Sequence, residues 1–196
     1  MPLNPKNRDG LPEFDQKFLK VIDECDWHVM KVAPRVGEEG HLWAYSTGIY
    51  YKFRHPEIII FGQSLDLMHS MVNTIGNRVR SGEKFESNYR YSEVIDEYDC
   101  EFRDVNVDHY EEYVGCSIWF YDCDQNSFPM LQCFWPDMAG KFPWQKGCAN
   151  WAVEAQPLLF NPPLKIYTAI WVGSGLSSRA RYSGLQHRQP TGFVSY

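Results

Sequence analysis

The chain has 196 residues, 44% of them hydrophobic, 22% charged and 16% aromatic, with a net charge of −6 at pH 7. That length suits one globular domain with a sizeable core, and the acidic balance argues against a broad electrostatic footprint for nucleic acid. No apolar run approaches the roughly 18 residues of a membrane-spanning helix, and the polar start from Met1 to Gly10 lacks the apolar stretch of an export signal, so no membrane and a cytoplasmic location are the default expectations.

Residues 1–10 are expected to be disordered. Pro12 suits the first turn of a helix, and Phe14, Phe18, Ile22 and Cys25 recur at helical spacing, which predicts an amphipathic helix over 13–25. Trp27 to Val32 alternates as a strand does, and Pro34 with the Gly37–Gly40 loop ends it. Leu42 to Phe53 reads as a second strand, with Gly48 inside it as a bulge or a close backbone approach. Glu57 to Phe61 has the continuous apolar run of a central strand.

Ser64 is a good N-cap, and Leu65, Met68, Val72, Ile75 and Val79 form one apolar stripe ending near Arg80. Gly82 supplies the stop. Residues 83–98 read as polar and irregular, Tyr98 to Val107 as a half-exposed strand. Asp108 with Glu111 fits a capping pattern for a helix over 109–121, with His109 exposed and neutral in its first turn. Pro129 to Trp135 reads as a further strand, 147–156 as a lid or turn, and Ile166 to Val172 as a last strand.

These elements predict an α+β fold: a single domain over 11–172, with a mainly antiparallel sheet able to close as a barrel, and two or three amphipathic helices packed on it. From Gly173 the chain is rich in Ser, Gly and Arg and is expected to be a flexible basic tail. After Glu154 there is no Asp or Glu; Lys165, Arg179, Arg181 and Arg188 leave about −10 on residues 1–154.

Cysteines stand at 25, 100, 116, 123, 133 and 148, with no C-x-x-C. Without an export signal, free thiols packed as small hydrophobes are expected. Cys25 with His28 lacks the second ligand pair that a zinc site needs.

Several motifs point toward chemistry. Ala44-Tyr45-Ser46-Thr47-Gly48 resembles a degenerate nucleophile elbow, which requires strand, sharp turn, then helix. Ile49-Tyr50-Tyr51 reads as continuing strand, so Ser46 is not assigned as a nucleophile. Trp135-Pro136-Asp137 is similar to the acid loop of protein tyrosine phosphatases, but no cysteine here has the required arginine downstream. Gly173 to Ser178 lacks the helical pattern and acidic residue of a dinucleotide site.

His55-Pro56-Glu57 remains. Pro56 holds His55 extended, and a carboxylate opening an apolar strand would sit at the sheet rim, its pKa raised by partial burial. His55 and Glu57 are therefore read as a candidate acid/base pair. The competing structural reading has His55 capping a turn and Glu57 bonding a backbone amide. In the pocket reading, Tyr45, Ser46 and Thr47 line the site. His69 and Asn73, four apart on one side of a helix, add a polar edge, and Trp135, Asp137 and Trp144 close it.

Trp27-His28-Val29-Met30, Ala44 to Gly48, His55-Pro56-Glu57 with Phe61-Gly62, Gly82-Glu83, Phe134 to Asp137, Phe142-Pro143-Trp144 and Gln156 to Leu159 occur in one order along the chain. Together they resemble a bacterial family, domain of unknown function 4262, over about residues 26–160. Ser46-Thr47-Gly48 departs from the Thr-Ile-Gly more common there. The resemblance implies a real domain and no activity. Two further readings stand beside the pocket. One is an acidic protein-binding module of the immunity or inhibitor type, recognising a basic protein partner. The other, by analogy of element order, is a flavin-binding split barrel with Lys52 and Arg54 as the only nearby cations for a phosphate. No cofactor is assigned, and the small molecule is unidentified.

Overall fold

A computed structural model describes residues 10–161, apart from Val36 and Cys123. The first nine residues, the expected strand over 166–172 and the basic tail lie outside the described residues.

The two longest helices follow their apolar stripes. α1 (Glu13–Cys25) has Pro12 at its N-cap, buries Phe18, Leu19 and Ile22, and ends where Asp26 turns left-handed at φ 76°. α3 (Leu65–Arg80) is capped by the Ser64 hydroxyl, which accepts the Leu67 N–H, and buries Met68, Met71, Val72, Ile75, Gly76 and Val79. The cations of its last turn are both paired: Arg78 with Glu83 at 2.6 Å and Arg80 with Asp26 at 2.9 Å.

One six-stranded sheet runs in the order β1 (His28–Val32), β2 (Trp43–Thr47), β3 (Glu57–Phe61), β6 (Met130–Phe134), β5 (Tyr98–Asp104), β4 (Arg90–Ile95). Every neighbouring pair is antiparallel except β3 and β6. The fold is α+β as the sequence predicts, and the sheet is open, with β1 and β4 as edges. All five residues of β3 are buried, as its apolar run requires of a strand covered on both faces.

Ile58 and Ile60 point to α3, packing with Ala44, Val72 and Phe102. Ile59 and Phe61 point to the other face, which α1 covers together with α4 (Tyr110–Tyr113) and α5 (Gly115–Phe120). Trp27 crosses to α3 because Gly76 leaves room: a Cβ there would stand 2.6 Å from the indole ring.

Six sequence expectations change. The strand expected over Leu42 to Phe53 ends at Thr47, and α2 (Ile49–Phe53) follows a turn at Gly48, whose φ of 119° and 2.7 Å approach to Asp26 O leave no space for a side chain. The helix expected over 109–121 is a 3-10 turn (Val107–His109) followed by α4 and α5, broken at Val114 with φ −132°, ψ 41°. Its cap is Asn106 rather than Asp108. His109 is buried, its Nε2–H donating to Asn161 O at 2.7 Å. The irregular 83–98 stretch contains β4, and α6 (Asn150–Ala155) occupies the expected lid or turn. Of the cysteines, 100 and 133 are buried and 25 is exposed.

Candidate functional site

The residues proposed as one site fall in four places. Glu57 is not at a rim: it is fully buried and receives four donors. Oε1 accepts the Gly48 N–H at 2.7 Å, the Tyr50 N–H at 3.1 Å and the Tyr121 hydroxyl at 2.5 Å; Oε2 accepts the Ser46 hydroxyl at 2.5 Å. The carboxylate thus caps α2 from the neighbouring strand, satisfying amides that a five-residue helix leaves open. Ser46 Oγ in turn accepts the Ile58 N–H at 2.9 Å, and Tyr121 Oη the Tyr51 N–H at 3.1 Å. Burial pushes the Glu57 carboxyl above its ordinary value, while the four hydrogen bonds pull the other way.

Tyr45 and Thr47 belong to the same buried face. Thr47 Oγ1 bonds Ser117 Oγ at 2.6 Å, and the Tyr45 phenol, pushed up by burial, lies beside Cys116, whose thiol burial raises to about 11. The hydroxyls and the Gly48 amide that a flavin phosphate would need are already engaged by Glu57 and Ser117.

His55 turns to the opposite face of the sheet. It precedes the first residue of β3, so strand alternation does not put it beside Glu57. Its Nδ1 lies 2.8 Å from Pro56 O, and its Nε2 2.9 Å from the Phe85 N. A carbonyl only accepts and an amide only donates, so the ring is neutral, with its proton on Nδ1. Burial, first, holds it below the ordinary imidazole range.

Beside this ring opens a cavity of about 500 Å³, walled by Phe53, Arg54 and Pro56 before β3, by the 82–87 segment after α3, and by Asp104 and Leu131 across the sheet. Leu131 is in register with both Ile58 and Asp104, so Asp104 lies two strands away from β3. Glu83 is held by Arg78. Among the described residues, no carboxylate pairs with Arg54 or Lys84 and no cation with Glu86 or Asp104. Arg54 instead lies 5.4 Å over the Tyr50 ring.

His69 and Asn73 stand on the far side of α3. Asn73 accepts the Trp27 indole N–H at 3.0 Å and its amide reaches a His69 ring nitrogen at 3.3 Å, which anchors Trp27. Trp135, Asp137 and Trp144 close nothing over His55. Trp135 donates to Phe61 O at the other end of β3. Asp137 is buried, accepting the amides of Ala139, Lys141 and Ala149, and these hold its carboxyl below the ordinary range. Trp144 stacks on Phe142 at 5.2 Å with Arg103 4.6 Å over its ring.

Sequence reasoning missed Tyr121 as a partner of Glu57 and the 82–87 wall of the cavity. Tyr121 carries no local signal for it. Arg54 stands next to His55 in the sequence, where it reads only as a possible phosphate contact. Among the described residues no three His, Cys, Asp or Glu side chains converge as a metal site, and no helix is long and apolar enough to cross a membrane.

A six-stranded, mostly antiparallel α+β domain with a buried carboxylate hub on one face and an open cavity on the other is the class these observations define. The family described as Domain of unknown function (DUF4262) matches residues 21–149, and the chain belongs to it. No curated protein and no solved structure matches the chain.

Proposed function

We propose that this domain binds a small zwitterionic ligand in the cavity beside His55, and that His55 is a wall of that site rather than half of an acid/base pair with Glu57. The observation that carries the reading is the cavity itself: about 500 Å³, within the ~300–1,000 Å³ usual for ligand sites. Its charges support the ligand class. Arg54 and Lys84 offer cations to an anionic group, and Asp104 and Glu86 offer carboxylates to a cationic one, with Phe53 and Leu131 supplying apolar wall between. Both ring nitrogens of His55 are occupied, so it contributes shape and holds the 82–87 segment in place.

The test is amide chemical-shift mapping of the full chain with amino acids and glycyl dipeptides, alongside their N-acetylated and C-amidated forms. The zwitterions should move the resonances of residues 53–56 and 82–87, and the blocked forms should do so much less. Arg54→Ala and Asp104→Asn should each weaken binding without lowering the melting temperature. Resonances around the cavity that none of these compounds moves would overturn the reading.

A further inference from the structure

A second concavity, of about 130 Å³, lies at the carboxyl ends of β3 and β6, the opposite end of the parallel pair from His55. Its floor is Trp135, buried and fixed by its bond to Phe61 O. Trp151 of α6 stacks on that ring at 5.6 Å and 19°, yet remains 52% exposed, and Met138 is 84% exposed. Two large apolar side chains flanking a dent are the arrangement of an interface anchor site, and about 150 Å³ of apolar space holds a benzene ring. One aliphatic or phenyl side chain is therefore the right size for it.

The rim gives the charge of the occupant. Ile95 and Tyr98 line the dent, and the turn between them carries exposed Asp96 and Glu97, with Asp99 following. Glu154, next to the exposed Val153 on α6, adds a further carboxylate. Among the described residues no lysine or arginine lines the dent. Strand addition to the adjacent edge is disfavoured, because β4 loses its register between Tyr91 and Ile95, with Glu93 at φ 60°. Side-chain insertion is the mode that remains.

We infer that this corner docks a basic segment of another protein, which inserts one aliphatic or aromatic side chain beside Trp151 and Met138 and sets Lys or Arg over the 96–99 turn. The charge complementarity steers the encounter and the apolar anchor holds it. The site is separate from the His55 cavity and stands whether or not that cavity binds a ligand.

The probe is the acetylated, amidated peptide Lys-Lys-Leu-Lys-Lys, titrated into the full chain while the Trp151 indole N–H resonance, identified with Trp151→Phe, is followed. It should shift that resonance, with an affinity that falls severalfold at high salt. Lys-Lys-Ala-Lys-Lys should bind severalfold more weakly and Glu-Glu-Leu-Glu-Glu should leave the signal unmoved. Asp96→Lys, on an exposed turn, should weaken binding severalfold at an unchanged melting temperature. Equal shifts with the acidic peptide, no shift with any peptide, or binding that survives both Trp151→Ser and Met138→Lys would overturn the inference. Concentration-dependent self-association of the free protein that Trp151→Ser abolishes would overturn it too, since the surface would then be a contact between copies.

Discussion

Replacing Glu57 with alanine removes the acceptor that four donors share. The Gly48 and Tyr50 amides, at 2.7 and 3.1 Å, belong to the backbone and cannot turn away. A buried N–H left without a partner costs roughly 1–3 kcal/mol. The two hydroxyls lose less, since Ser46 Oγ still accepts from Ile58 and Tyr121 Oη from Tyr51, leaving only their protons to redirect. Against this, the variant no longer buries a carboxylate, and burial already disfavours that charge. The balance is a loss of about 3 kcal/mol. Glutamine can keep an oxygen toward the amides while its NH₂ faces Ser46, whose hydroxyl then reverses, so Glu57→Gln should lose only about 1 kcal/mol. Urea unfolding reads both as changes in midpoint at constant slope. An alanine variant within about 0.5 kcal/mol of the parent, or a glutamine variant as unstable as the alanine one, would refute the assignment of Glu57 as the cap of α2.

The raised Glu57 carboxyl gives a signed pH dependence. Its contribution is fully present below the unfolded value near 4.5 and falls as pH rises through the folded value, so parent stability minus Glu57→Gln stability should decline over that window in pH-dependent urea melts. His55 runs the other way: its lowered pKa means stability present above the unfolded 6.5 and lost as pH falls through the folded value. A proton on Nε2 would then face the Phe85 N–H, so the protection factor of the Phe85 amide, taken relative to its base-catalysed intrinsic rate, should fall on acidification, and a pH-independent protection factor there would contradict the tautomer. Gly76→Ala gains about 1 kcal/mol of helix propensity but drives a Cβ to 2.6 Å from the Trp27 ring. Overpacking of about 1–3 kcal/mol and strain on the Trp27–Asn73 bond should make it net destabilising in a thermal melt. Gly48→Ala combines φ 119° with a 2.7 Å approach to Asp26 O and should cost about 3 kcal/mol by the same assay.

What the sequence made legible was structure stabilised within its own segment. α1 and α3 carry long apolar stripes at helical spacing, and Ser64 caps where a serine should. β3 announces itself by composition. α2 does not, because Ile49, Tyr50, Tyr51 and Phe53 favour strands, five residues are too few to display a helical period, and the acceptor for its first amides stands on β3. β4 was hidden by its bulge, which breaks the alternation that would reveal it. The site was legible only as a neighbourhood. His55 and Pro56 do line the cavity of about 500 Å³, yet two residues of separation share a side only within a strand, and His55 lies before β3 begins. The residues facing it come from the loop after α3 and the end of β5, which no local pattern connects to it.

The same geometry changes why Ser46 is not a nucleophile. In the sequence Ile49-Tyr50-Tyr51 reads as strand, which excludes the motif; in the structure a strand, a left-handed turn and a helix do follow one another, which is the backbone setting the motif requires. The difference lies in which residue occupies the turn and where its neighbours point. Gly48 makes the turn, so no side chain is lifted there, and Ser46, two residues earlier, lies within β2 with no exposed surface. Its hydroxyl donates to Glu57 and accepts from Ile58, so any substrate reaching it would have to displace the carboxylate that caps the helix. An elbow that presents a nucleophile leaves its helix amides free for an oxyanion. Here a side chain from the next strand has taken those amides. The strand–turn–helix unit therefore anchors α2 to the sheet, and α2 delivers Phe53 and Arg54 to the cavity on the other face.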